Sequence, residues 1–363
     1  MNRRSRTRRT GLGVTLALLA TAGPILAGCA RPDDPCPAAV DAAVIWSAGQ
    51  RRDSRVQWVA GGAVAAETSI KAQNVTRSPQ TPVYLDGDAV VGFDGSDADD
   101  RHGAVILNSS TCQATVVQAG QKGVLDVTAT ADGFVFTNTI NAAGRLQRHS
   151  ADGELLAEAQ MEGYVISALV ADGDNLYVFA STLPTVTLTD DAAPPPEASI
   201  VSVRRLDDLS EVAQVTLPPG NSGILSAFAA GGQVYFPLEG GLLGSLDEAS
   251  LAVDTVALGY AGPEFVRVVG NFAYVAHGSP SEFLRHISVV DLATRAVRGV
   301  DLTYPIEVVD ANDTTLAAVG QRSDGVYILH TYSLPDLTEQ AVIELTPPTD
   351  ADFVYLANVI LPR

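Results

Sequence analysis

Val83-Tyr84-Leu85-Asp86-Gly87-Asp88-Ala89-Val90-Val91 reads as two short apolar strands around an Asp-Gly turn. Asp-Gly between β-branched and aromatic runs signals a tight hairpin, because such two-residue turns need positive φ. The unit recurs. Residues 127–136 turn at Asp132-Gly133, 166–179 at Asp172-Gly173-Asp174-Asn175, and 225–236 at Gly231-Gly232. Residues 265–275 turn at Gly270-Asn271, and 308–319 at Asn312-Asp313.

A second hairpin follows each first one. His286-Ile287-Ser288-Val289-Val290-Asp291 precedes Leu292-Ala293-Thr294 and then 296–302. Residues 326–334 precede Pro335-Asp336-Leu337-Thr338 and 340–345; residues 200–206 precede Asp207-Asp208-Leu209-Ser210 and 211–217. The turn positions Gly87, Gly133, Gly173, Gly232, Gly270 and Asp313 lie 46, 40, 59, 38 and 43 residues apart. Four-stranded units at about 40 residues are the signature of β-propeller blades. The long interval holds an insertion, 181–199, with Pro194-Pro195-Pro196 inside it, which reads as an extended loop.

Six whole blades run from about 77 to 348. Phe353-Val354-Tyr355-Leu356-Ala357-Asn358 matches an innermost strand, while 55–59 and 63–70 match an outer pair. Joined, they predict a seventh blade in which the two ends of the chain close the ring. Closure removes the open sheet edges that invite aggregation. The expectation is an all-β, seven-bladed propeller of four-stranded antiparallel blades over 44–363. Val44-Ile45-Trp46 is either a further strand of that blade or the end of a short helix from Ala38.

Residues 1–28 have a different character. Arg3, Arg4, Arg6, Arg8 and Arg9 precede an apolar stretch at 14–27, too short for the roughly 20 residues a membrane span needs. This is the pattern of a cleaved signal peptide. Leu26-Ala27-Gly28-Cys29 resembles the bacterial lipoprotein signal, the lipobox. That resemblance implies diacylglycerol transfer to Cys29, cleavage before it, and a lipid-anchored tether over 29–43 on the extracytoplasmic face of the cell membrane. Thr7-Arg8-Arg9-Thr10-Gly11-Leu12 resembles a twin-arginine export signal without its usual aromatic, which leaves the export route open.

After cleavage the chain carries 18 basic and 42 acidic residues, net −24. Nucleic acid, whose phosphates demand basic patches, is excluded as a partner. Charge cannot hold the chain to an anionic membrane either, so attachment falls to the lipid, which can carry a soluble body. Lysine occurs only at Lys71 and Lys122, a bias resembling that of a GC-rich genome such as an actinobacterium's.

Across roughly 44–361 the repeats resemble the superfamily of YVTN-type and quinoprotein-like β-propellers. The Trp-Asp and Gly-His marks of WD40 repeats are missing, and two Trp cannot supply the docking pattern of quinoprotein dehydrogenases. The resemblance implies a fold and a binding role, and carries over no active site.

Candidate site residues are few. Asp94, Asp97, Asp99 and Asp100 crowd one loop ending in Arg101 and His102, and could offer oxygens to Ca²⁺. Their spacing is not that of an EF-hand, and a solvated acidic loop accounts for them as well. Of His102, His149, His277, His286 and His330, only His277 and His286 are placed to meet, across a hairpin, as a zinc pair or a general base. No Gly-x-Ser-x-Gly, His-Glu-x-x-His or phosphate-cradling glycine loop occurs. Cys36 and Cys112 are the thiols left once Cys29 is lipidated, and outside the cytoplasm such a pair is expected to form a disulfide.

The expected function is a monomeric, membrane-anchored binding module without a cofactor, for a protein partner or a small ligand. Its recognition face would carry the 181–199 insertion and the acidic loop near Asp97. The alternatives are a metal-dependent, lactonase-like hydrolase, which needs acids or His converging from inner strands, and a metal chaperone serving a transporter.

Overall fold

The computed structural model describes residues 35–49, 53–75, 83–94, 102–119, 123–140, 143–182, 198–218, 223–279, 282–348 and 354–363. Cys29, the signal segment, Asp97, Asp99, Asp100 and most of the 181–199 insertion lie outside these residues.

Strands are numbered in chain order. β1 (Ala42–Ala48), β2 (Ser54–Ala60) and β3 (Ala63–Ile70) come first. Blade 1 is β4 (Val83–Leu85), β5 (Asp88–Asp94), β6 (His102–Asn108) and β7 (Gln113–Gln118). Blade 2 is β8 (Asp126–Thr130), β9 (Gly133–Ile140), β10 (Ala143–Ser150) and β11 (Leu155–Glu162). Blade 3 is β12 (Tyr164–Asp172), β13 (Asn175–Thr182), β14 (Ser199–Arg205) and β15 (Glu211–Thr216). Blade 4 is β16 (Phe228–Ala230), β17 (Gln233–Leu238), β18 (Leu242–Asp247) and β19 (Val253–Ala257). Blade 5 is β20 (Pro263–Val269), β21 (Phe272–Ser279), β22 (Glu282–Asp291) and β23 (Val297–Ile306). Blade 6 is β24 (Val308–Ala311), β25 (Thr315–Gln321), β26 (Tyr327–Ser333) and β27 (Thr338–Leu345), and β28 (Val354–Ile360) ends the chain. Each blade is a four-stranded antiparallel sheet. The fold is a seven-bladed β-propeller, as the repeats predict.

The closing blade has the order β28-β1-β2-β3. Val44-Ile45-Trp46 therefore belongs to a strand and not to a helix, and that strand already begins at Ala42. β28 supplies the inner strand, pairing Ala43 with Ile360 and Ser47 with Tyr355. Residues 55–59 and 63–70 form the outer pair, as expected.

Burial grades outward along each blade. β14 is buried along both faces because flanking blades cover both, whereas β15 and β7, farthest from the axis, alternate exposed and covered residues. The core is a set of inter-blade layers. Val44, Trp46 and Leu356 of the closing blade pack on Val319 and Leu329 of blade 6. Ile45, Val56 and Trp58, on the other face, pack on Val91, Phe93 and Val105 of blade 1. Each such side chain contributes roughly 1.5–3 kcal/mol of burial. The tight turns have the backbone that the Asp-Gly and Gly-Gly pairs provide: φ is 51° and 90° at Asp86 and Gly87, and 62° and 75° at Gly231 and Gly232.

The ring has two unlike faces. The turn face carries the connections from first to second and from third to fourth strands; the loop face carries those from second to third and between blades. Cys112 lies between β6 and β7, and the chain enters β1 from the same turn face. There Cys36 and Cys112 form the expected disulfide, with Cα atoms 5.4 Å apart, inside the roughly 7 Å a bridge requires.

Candidate functional site

The innermost strands run along the ring's central channel, and most of their side chains are apolar. Among the polar residues that interrupt them are Tyr84 in β4, Asp126 in β8, Arg267 in β20 and Asp310 in β24. Arg267 is 2% exposed and Asp310 is wholly buried. An Arg and an Asp so far from water must answer each other. Arg267 Nη2 donates to Asp310 Oδ1 at 2.7 Å. The other carboxylate oxygen accepts from the Tyr84 hydroxyl at 2.8 Å and from the Leu361 N–H at 2.9 Å. One carboxylate thus joins blades 1, 5 and 6 to the closing segment. Burial first, then the adjacent Asp310 charge, pushes the Tyr84 hydroxyl well above the usual tyrosine range. The Arg267 guanidinium also lies over the Phe228 ring, 4.8 Å from its centroid. Arg363 lies over Tyr84 at 4.3 Å and donates to the Ala311 carbonyl.

Across the channel, Asp126 bridges blades 2 and 3. Its oxygens accept from the Val127 N–H and the Leu169 N–H, each at 2.8 Å. Burial raises its pKa to about 7 against the pull of those two donors. Ser226 holds the corresponding place between blades 4 and 5, where its hydroxyl accepts from the Val266 N–H at 3.1 Å.

Between these walls lies a cavity of about 340 Å³, bounded chiefly by blades 1 to 5. Its apolar lining includes Val83, Val170, Leu225 and Phe228; its polar lining includes Asp126, Thr128, Asp172, Arg267 and Arg363. It shares Tyr84, Ala129, Ala171 and Asp172 with a wider groove of about 1010 Å³ on the turn face.

The residues singled out in the sequence lie elsewhere. His277 and His286 do face each other in register, with ring centroids 5.3 Å apart. His277 Nδ1 lies 3.1 Å from the Ala261 carbonyl and Nε2 lies 2.7 Å from Ser288 Oγ, so both ring nitrogens are engaged. Burial, and secondarily the charge of His286, lowers its pKa to about 4. His286 Nδ1 lies 2.8 Å from Asp301 Oδ1. The arrangement is a packed polar contact at the loop face. Asp94 pairs with His102 at 2.5 Å and accepts from the Gly123 N–H. Among the described residues no three His, Cys, Asp or Glu side chains come together as a metal site.

The channel residues escaped sequence reading because each stands alone in an apolar strand. The available signal was that isolation: Val266-Arg267-Val268 and Val309-Asp310-Ala311 place a charge where the repeat has an aliphatic residue.

No family model matches the chain, and no curated protein does. Solved structures do. A candidate 6-phosphogluconolactonase from Bacteroides fragilis aligns with a TM-score of 0.58 at 11% identity, covering 91% of this chain and 100% of that one. A chain of a mitotic checkpoint complex aligns at 0.52 and 14% identity, covering 77% and 86%. Apo AztD from Citrobacter koseri aligns at 0.49 and 13%, covering 89% and 99%. At such identities the likeness is one of fold, and what this chain shares with them is the β-propeller ring.

Proposed function

We propose that the chain is a lipid-anchored, extracytoplasmic binding module whose loop face meets a partner. The observation that carries this reading is where the Cys36–Cys112 bridge sits. It fastens the entering segment to the turn face. Six residues lie between Cys29 and Cys36, so the two Cα atoms are at most about 25 Å apart along fully extended chain. A lipid on Cys29 therefore holds the turn face near the bilayer and directs the loop face outward. The two long connections, 95–101 and 183–198, both join second to third strands, at Asp94–His102 and Thr182–Ser199. Such connections are where propeller-like scaffolds carry recognition.

A binding role is favoured over hydrolysis by the state of the channel carboxylates. Both oxygens of Asp126 and of Asp310 already accept hydrogen bonds from the protein. A hydrolytic acid or metal ligand would need such oxygens directed into the cavity.

The anchor is tested with Cys29→Ala, which should leave the membrane fraction and lose labelling by a fatty-acid probe. Retained labelling overturns the anchor. The facing is tested by photo-crosslinkers at Thr182 and Asp132 in native membranes. Crosslinks to a protein from Thr182 and not from Asp132 support the outward loop face, and the reverse pattern overturns it.

A further inference from the structure

We infer that the channel cavity is a binding site for a small monocarboxylate with an apolar body, held through the Arg363 guanidinium. The inference does not depend on the anchor. It follows from matching every charge in the cavity wall with the group that answers it.

Arg267 is answered by Asp310 at 2.7 Å. Asp126 is answered by two backbone N–H groups. Asp172 lies beside Glu248, whose pKa rises to about 7 through burial first and then through the neighbouring Asp172. In the adjoining groove Asp132 pairs with Arg148 and Asp207 with Arg205, while Asp86 and Asp174 stand at its turns. Arg363 differs. Its contacts are the Tyr84 ring and the Ala311 carbonyl, and among the described residues no carboxylate lies within ion-pair distance of it. A guanidinium that lies over an aromatic ring and donates to one carbonyl keeps further donors for a planar, bidentate acceptor, and a carboxylate is that acceptor.

The remainder of the wall sets the rest of the ligand. Val83, Ala168, Val170, Ala227 and Phe228 give an apolar surface beside the Thr128 hydroxyl. At about 340 Å³ the cavity lies in the usual range for small-molecule pockets, roughly 300–1,000 Å³. A second anionic group would meet the Asp172 carboxylate, so the wall discriminates against dicarboxylates.

The test is calorimetric titration of the purified full-length protein with 4-phenylbutyrate, its amide and 4-phenylbutylamine. The carboxylate should bind at least tenfold more tightly than either analogue. Arg363→Gln should weaken it at least tenfold and Arg363→Lys less, with both variants keeping the circular dichroism of the parent. Ala129→Trp, which fills the shared mouth, should abolish binding while circular dichroism stays that of the parent. No binding of 4-phenylbutyrate at millimolar concentration, equal binding of the amide, or undiminished binding by Arg363→Gln overturns the inference.

Discussion

The two sides of the channel solve the same problem in opposite ways. Where blades 5, 6, the closing blade and blade 1 approach, the space is filled by charge: Arg267, Asp310, Tyr84 and the Leu361 N–H make one connected node. Where blades 2 to 4 approach, single acceptors such as Asp126 and Ser226 clip one blade to the next and the middle stays empty. A ring must close somewhere, and the filled side is the one that contains the seam between β28 and β1. The charged node thus lies where the chain ends must be held, and the cavity lies where the chain is continuous from blade to blade.

The sharpest way to break this contrast is to remove the seam. Deleting 352–363 takes away β28 with Leu356, Val359 and Leu361, all buried, and leaves β1 as the bare inner edge of its blade. Several losses of roughly 1.5–3 kcal/mol each exceed what a marginally stable fold absorbs. The expected outcome is loss of a cooperative thermal transition, and melting at the parent temperature would show that the ring closes without this tail. Next in size, Asp310→Ala leaves Arg267 buried without its partner, which costs about 3–5 kcal/mol. Urea unfolding should show it, and a loss under about 1 kcal/mol would mean the node is not what holds the seam.

On the open side the expected effect depends on pH. The folded-state pKa of Asp126, about 7, lies above its unfolded value, so the folded state binds the extra proton. The sign follows: this residue lowers stability progressively as pH rises from about 4 to about 7, by an amount set by about 1.4 kcal/mol per pKa unit. Asp126→Asn removes the titration. Its stability relative to the parent should therefore improve between pH 5 and pH 8. Melting curves at the two pH values decide this, and a parallel response of the two proteins rules it out.

The smallest effect belongs to the bridge. The chain-entropy model gives roughly 4 kcal/mol for closing a loop of this length. Cys36→Ser, however, also frees the short segment before β1 in the folded state and so recovers part of that through conformational entropy. The net loss should be the least of the four, and peptide mapping without reductant should find the pair linked in the parent.

Much of this ring is readable in the sequence because hairpin turns are local. Asp86-Gly87 and Gly231-Gly232 sit where the backbone needs positive φ, and their spacing carries the blade count. The segment Ala42–Ala48 resists reading because all of it is buried, so no alternation marks it as a strand. His277 and His286 meet as the hairpin register dictates, since that too is local. The channel node is invisible for the opposite reason: Tyr84, Arg267 and Asp310 are brought together only by the closing of the ring. Nothing within a window of one blade links them.

The place of the disulfide has a mechanical consequence. A pull along the segment preceding Cys36 reaches Cys112 through a covalent bond before it reaches β1. The load enters blade 1 at the turn between β6 and β7 and spreads into a sheet continuous in sequence. The hydrogen bonds between β1 and β28, which would otherwise be sheared first, are kept out of the line of tension.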